Sequence, residues 1–131
     1  MTDVTSEPLR EALRPPGPVK FEVHANRVGD VVTVAVEGEL DLLTAPKLVA
    51  RITELLRGGS RWRRMAADVV VDLTATQFID SAGLAVLLNL QRRMERRGRS
   101  LRVLCEEGPV RRVIEMARLE EALGVVTSSA R

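Results

Sequence analysis

The side chains best placed for chemistry are Asp80 and Ser81, which stand together in the segment 77–88. The segment 68–73 before them is short, apolar and Val-rich, as buried strands are. The segment 77–88 itself predicts a turn that opens into a helix, and either residue is a suitable N-cap because its side-chain oxygen accepts a bond from a free helix N–H. A phosphate on Ser81 would meet free N–H groups and the positive end of the helix dipole. The segment therefore indicates either a simple helix cap or a phosphorylation site near solvent.

The other reactive side chains do not form a recognisable active site. Ser81 lacks the glycine two positions earlier that a nucleophile elbow needs, and His24, the only histidine, is expected to be an exposed strand residue. Cys105, the only cysteine, is expected to be a small core residue. Asp41 and Asp72 are expected in capping and turn roles. With neither metal-ligand spacing nor a phosphate-binding glycine loop, the sequence predicts no enzyme, no cofactor and no metal.

Composition indicates one globular domain. The chain has 131 residues, of which 45% are hydrophobic and 29% charged, with only three aromatic residues, so the core must consist of Val, Leu, Ile and Ala. Apolar runs are all shorter than the roughly 18 residues of a membrane span. The polar N-terminus has no apolar signal-peptide region. We therefore expect a cytoplasmic protein without a membrane partner.

Positive charge is concentrated in arginines although the formal net charge is only +2. A cluster on the second half of the predicted helix is balanced elsewhere by acidic residues, and no aromatic residue is interleaved with it. A solvated helix face is therefore the favoured interpretation, and a nucleic-acid-binding module is the less favoured one. This arginine cluster comprises Arg92, Arg93, Arg96, Arg97, Arg99 and Arg102.

Strands alternate with helices along the chain, which favours an α/β fold with a largely parallel, mixed sheet of four to five strands. A Pro-rich arm over 1–18, expected to be dispensable for folding, precedes a domain over 19–131. Thr44 is predicted to cap the first helix, which Gly58-Gly59 end. The predicted strands are an N-terminal hairpin of 21–28 and 31–36, then 68–73, 101–105 and 125–127; the predicted helices begin near 45, 81 and 109.

Two groups of residues resemble the STAS domain, and in particular the bacterial anti-sigma factor antagonists. They are Gly38-Glu39-Leu40-Asp41 with Thr44-Ala45, and Phe78-Ile79-Asp80-Ser81-Ala82-Gly83-Leu84 after Asp72-Leu73. The resemblance extends from about residue 21 to 127, and the two motifs at this separation are more specific than either alone. It implies a mixed sheet packed with helices, as the element order also indicates.

The resemblance also implies a function. In the family, an anti-sigma factor that is a serine kinase phosphorylates the serine that follows the aspartate, which is Ser81 here. The unmodified antagonist binds that kinase and frees the sigma factor, and a metal-dependent phosphatase resets it. The acidic loop residue of the family corresponds to Asp41. The implied partner-binding residues are Asp41, Thr44, Asp80, Ser81, Ala82, Gly83, Leu84 and Leu88.

Two departures from the family pattern bear on partner choice. Ala82 stands where many relatives have a second Ser or Thr, which leaves Ser81 as the only hydroxyl of the motif. The connector over 60–67 is longer and more basic than is usual. The alternative is a STAS subunit of another signalling or transport assembly without phosphotransfer.

Overall fold

The computed structural model describes residues 20–57 and 68–128. The predicted arm, the connector and the Gly58-Gly59 helix end lie outside these described residues. Within the described ranges the chain alternates between strands and helices after an N-terminal hairpin. The elements are β1 (Phe21–Val28), β2 (Val31–Leu40), α1 (Ala45–Arg57), β3 (Asp68–Asp72), β4 (Thr76–Ile79), α2 (Ser81–Arg96), β5 (Leu101–Leu104), α3 (Pro109–Met116) and β6 (Val125–Val126).

The described strands form one mixed sheet of six. Strands run in the order β1-β2-β3-β5-β6, and β4 pairs with the far end of β2 beyond β3. Only β1 and β2 are antiparallel, with Phe21 opposite Gly38 and Val28 opposite Val31. All other pairs are parallel, as the helical crossovers between them require. The predicted fold class and hairpin are therefore confirmed.

The core lies where alternating strand residues meet the apolar stripes of the helices. Every second residue of β2 from Val32 to Leu40 faces inward, and all except Gly38 are core hydrophobics. Because strand side chains alternate between faces, this period of two fixes which face of β2 packs on the helices. The helices contribute one apolar stripe each: Leu48 and Ile52 from α1, Leu84, Leu87, Leu90 and Met94 from α2, Val110 and Ile114 from α3.

One strand was not expected from the sequence. The segment before Asp80 was interpreted as a turn, yet Thr76–Ile79 forms β4 and β2 continues to Leu40 to pair with it. The Thr76 hydroxyl donates to the Val36 carbonyl over 2.7 Å, and Ile79 is buried. A strand of four residues is too short for an alternating pattern to be visible, so the tertiary contacts decide its structure.

Gly38 permits the close approach of two chain segments. Its φ is +105°, and a Cβ there would lie 1.8 Å from the Lys20 carbonyl oxygen. Gly29, in the hairpin turn, also has a positive φ of +63°, but nothing lies within 4 Å of its Cβ position.

Gly38→Ala is therefore expected to lower the free energy of unfolding more than Gly29→Ala does. The Gly29 change should cost only the backbone strain of a left-handed residue, about 1–2 kcal/mol. The Gly38 change adds a clash that requires the backbone to move. Urea unfolding of both variants measures the difference, and equal midpoints would show that the close approach at Gly38 contributes nothing.

Candidate functional site

Two loops meet at the edge of the sheet where β2 and β4 end. These strands run parallel and place Leu40 opposite Ile79, so the residues that follow, Asp41 and Asp80, leave the same edge side by side. The Asp80 amide donates to the Leu40 carbonyl over 3.3 Å. Sequence motifs nearly forty residues apart are therefore joined by strand register.

Asp80 is the N-cap of α2. Its Oδ1 accepts a hydrogen bond from the Gly83 amide over 3.0 Å. Its Oδ2 accepts one from the Leu42 amide over 3.2 Å. One carboxylate therefore satisfies a free amide of the helix and fixes the neighbouring loop.

Ser81 is the first residue of α2 and is exposed. Of the two N-cap candidates in the sequence, Asp80 takes the role, which leaves the Ser81 hydroxyl without a hydrogen-bond partner among the described residues. The first turn of α2 contains no acidic residue. A negative group on Ser81 would face the positive end of the helix dipole, with the capping Asp80 carboxylate as the neighbouring negative charge.

The loop after β2 is tied together by Asp41 and Thr44. Asp41 Oδ1 accepts from the amides of Leu43 and Thr44, each over 3.0 Å. The buried Thr44 hydroxyl donates to the Glu39 carbonyl over 2.6 Å and accepts from the Asp41 amide over 2.9 Å. The expectation that the Thr44 side chain caps α1 is corrected, because its hydroxyl bonds within the loop and its carbonyl accepts from the helix amides instead.

These hydrogen bonds lower the pKa of the Asp41 carboxyl. The bond from the Thr44 amide is the largest cause. Desolvation, the next largest, raises the pKa, but the Leu43 amide and the Thr44 hydroxyl lower it further. A carboxyl with a lowered pKa stabilises the fold above its unfolded-chain pKa and loses that contribution as the pH falls through the folded-state value. The loop therefore keeps its shape at neutral pH.

Three of the implied partner-binding residues, Thr44, Gly83 and Leu84, are buried. Gly83 is buried, and a Cβ on it would lie 2.5 Å from the Leu40 carbonyl and 2.8 Å from an Ile79 side-chain carbon. The glycine thus allows α2 to pack on the strand ends. Leu84 is a core residue, and Leu88 is half-buried against the core. Ala82 is half-buried beside Ser81.

Exposed apolar side chains on the loop that Asp80 holds and on β4 were not predicted from the sequence. Leu42 is 71% exposed, Leu43 is 80% exposed, and Phe78 is 48% exposed on β4. We call Leu42, Leu43 and Phe78 the apolar rim. Its sequence signal was available, because Leu42 and Leu43 fit neither the alternation of β2 nor the stripe of α1.

The other hydroxyls near the motif are less free than that of Ser81. The Thr76 hydroxyl is buried and donates to the Val36 carbonyl. Thr74 is exposed, but its hydroxyl donates to Asp72 Oδ1 over 2.5 Å. Among the described residues close to the motif, Ser81 thus combines exposure with an unengaged hydroxyl.

The arginine cluster lies on the second half of α2 and beyond it, two or more helical turns from Ser81. Arg92, Arg96, Arg97 and Arg102 are exposed. Arg92, Arg93 and Arg96 also line a cleft of about 430 Å³ with Val49 of α1. That placement fits the predicted charged helix face, and solvation of this face stays a prediction.

Asp80→Ala is expected to lower the free energy of unfolding by about 0.5–2 kcal/mol, because it removes the cap of α2. Ser81→Ala should change it by less than about 0.5 kcal/mol, as an exposed residue without partners. Urea unfolding compares the two, and hydrogen exchange should show faster exchange at Leu42 in the Asp80 variant alone. A larger cost for the Ser81 change would contradict the cap assignment.

Comparison with known proteins identifies the family. The STAS domain model matches residues 22–130, so the chain belongs to the STAS domain family. An anti-sigma F factor antagonist from Paenibacillus polymyxa is 30% identical over 89 residues, covering 68% of this chain and 72% of that protein. The predicted resemblance to the family is therefore confirmed.

Solved structures share the fold. An anti-sigma factor antagonist from Mycobacterium paratuberculosis has a TM-score of 0.70 at 24% identity, covering 83% of this chain and 87% of its own. The antagonist SpoIIAA in its unphosphorylated form has a TM-score of 0.64 at 21% identity, covering 83% of this chain and 88% of its own. The phosphorylated form of SpoIIAA, from Bacillus, has a TM-score of 0.58 at 20% identity, covering 83% of this chain and 91% of its own.

In the described part of this chain, no helix combines the length and apolar character needed to cross a membrane.

Proposed function

We propose that the protein is an anti-sigma factor antagonist controlled by phosphorylation of Ser81. The unmodified form binds an anti-sigma factor that is a serine kinase, and this binding releases the sigma factor. Phosphorylation of Ser81 by that kinase ends binding, and a metal-dependent serine phosphatase restores it. The protein acts as a binding module rather than an enzyme, in the cytoplasm, without direct contact with nucleic acid or membrane.

The observation that carries this proposal is the position of Ser81. Its hydroxyl is exposed and unengaged at the start of α2, beside a loop fixed by Asp41 and Asp80. The serine of a substrate must enter the active site of a kinase, which an exposed helix start on a rigid edge allows. Relatives described as antagonists of anti-sigma factors, and one solved in a phosphorylated form, support the same reaction.

The apolar rim supplies the contact energy for the partner. Exposed apolar side chains that lie close together, bordered by polar residues, mark protein interaction sites. Leu42 and Leu43 stand on the loop that Asp80 ties to α2, so the rim and Ser81 are held in one rigid arrangement. Leu84 is buried in the core and is therefore not part of the proposed contact surface.

Phosphorylation would act by charge on this surface and not by unfolding. A phosphoserine carries about −1.5 to −2 charges at neutral pH, and the start of a helix tolerates them. The fold therefore persists. The partner, however, would have to bury that charge next to Leu42 and Leu43, which costs several kcal/mol unless a cation pairs with it. Binding is lost although the free protein is unchanged.

Reconstitution tests the function. Purified protein is titrated into a preformed complex of sigma factor and anti-sigma kinase from the same genome, and free sigma is measured by gel filtration. Release of sigma by the unmodified protein, and no release after incubation of the antagonist with kinase and ATP, is the expected result. Stable binding of the kinase without ATP-dependent modification would instead favour an assembly subunit without phosphotransfer.

A further inference from the structure

Three ligand-type side chains converge on the β1–β2 hairpin, away from Ser81. Antiparallel register places Glu22 opposite Glu37 and His24 opposite Ala35, so Glu22, His24 and Glu37 emerge on one face of the hairpin. His24 Nε2 lies 3.2 Å from Glu22 Oε2 and 3.4 Å from Glu37 Oε2. One potential ligand atom from each residue lies within 4.8 Å of the other two.

Both carboxylates approach the same ring nitrogen. Nε2 offers either one proton or one lone pair, so it cannot give each carboxylate a full hydrogen bond. Directly opposed acidic residues on neighbouring strands also repel each other. A cation among the three side chains would remove this repulsion and use the lone pair of the imidazole.

The spacing fits a small divalent transition metal. Zinc bonds to histidine nitrogen and carboxylate oxygen at about 2.0–2.2 Å in a tetrahedron, which separates neighbouring ligand atoms by about 3.3–3.6 Å. The two distances from His24 Nε2 are at or just below this range. One imidazole and two carboxylates leave the fourth position of the tetrahedron for water.

Lys20 orients the third ligand. Its Nζ lies 2.9 Å from Glu37 Oε1, which leaves Oε2 directed at His24. Outer contacts of this kind hold ligands in place at metal sites.

We propose that Glu22, His24 and Glu37 form a binding site for a divalent transition metal ion, with Zn²⁺ as the ion that fits their chemistry and spacing. Glu22 and His24 are exposed and Glu37 is half-buried, so an ion can reach all three from solvent. The site was not expected from the sequence because cross-strand register, and not spacing along the chain, brings Glu37 to the other two residues.

Calorimetric titration of tag-free protein with zinc chloride tests the proposal. We expect saturable binding of one ion per chain. His24→Gln and Glu37→Gln should each weaken it at least tenfold, since loss of an outer contact alone costs about 10–100-fold. NMR of the histidine ring should show Zn²⁺ bound at Nε2. His24 is the only histidine, so the ring signal is unambiguous.

Two control variants separate this site from general zinc binding. Glu54→Gln removes an exposed carboxylate of α1 that pairs with Arg51, and Cys105→Ser removes the only thiol. Both should bind zinc as the parent does. The proposal is overturned if the parent shows no saturable binding, if His24→Gln binds like the parent, or if Cys105→Ser abolishes binding. None of these outcomes depends on the partner of the Ser81 surface.

Discussion

Leu43→Asp is expected to weaken binding of the anti-sigma factor by about thirtyfold or more. Leu43 is 80% exposed on the loop beside Ser81, where it can enter an apolar pocket of a partner. Truncation of a central interface residue commonly costs about 2 kcal/mol or more, which corresponds to that factor. An aspartate adds the cost of burying an unpaired charge. Leu42→Asp, at 71% exposure, should act in the same direction.

Met116→Asp is the matched control for this prediction. Met116 is 83% exposed at the end of α3, so the same kind of change is made on a surface outside the proposed interface. Both variants should unfold at nearly the same urea concentration as the parent because neither side chain belongs to the core. Calorimetric affinities for the anti-sigma factor should then differ strongly for Leu43 and little for Met116. Equal losses would remove the apolar rim from the interface.

Ser81→Asp is expected to keep the fold and to lose at least tenfold in affinity for the anti-sigma factor. The helix dipole accepts a negative charge at the first residue of α2, so stability should not fall. In the complex the same charge would be desolvated among the side chains of the apolar rim, which costs several kcal/mol when the charge is unpaired. A tenfold loss of affinity corresponds to only about 1.4 kcal/mol, so even a small part of that cost is sufficient. Ser81→Ala should bind like the parent, since it removes a hydroxyl that has no partner among the described residues.

Asn89→Asp separates charge from position in this experiment. Asn89 is exposed on the same helix, and its replacement by aspartate adds the same charge about two turns away. We expect its affinity to stay close to that of the parent. A loss similar to that of Ser81→Asp would mean that the partner responds to the net charge of the protein and not to a group at position 81.

Local sequence chemistry was sufficient to predict where α2 begins. An aspartate and a serine before a leucine-rich segment predict a helix start from capping alone, and the structure adds only that Asp80 is the cap. The scarcity of aromatic residues likewise predicted a core of Val, Leu, Ile and Ala, and the buried residues are mostly of these types. Neither prediction requires knowledge of tertiary contacts.

Features that depend on tertiary contacts were not predicted. The sequence does not show that Gly83 is buried. Its close neighbour, the Leu40 carbonyl, belongs to a strand that is distant along the chain. The strand β4 exists only through its pairing with the end of β2. The same holds for Glu22, His24 and Glu37, which strand register brings together.

Mapping the phosphorylated residue by mass spectrometry tests the central claim most directly. The protein is incubated with the anti-sigma kinase and ATP, and Ser81→Ala is treated in parallel. We predict a single phosphate on Ser81 in the parent and none in the variant, with Thr74 and Thr76 unmodified. Thr76 is buried and Thr74 is bonded to Asp72, which makes them poor substrates. Phosphate on Thr74 or Thr76 with Ser81 untouched would contradict the account.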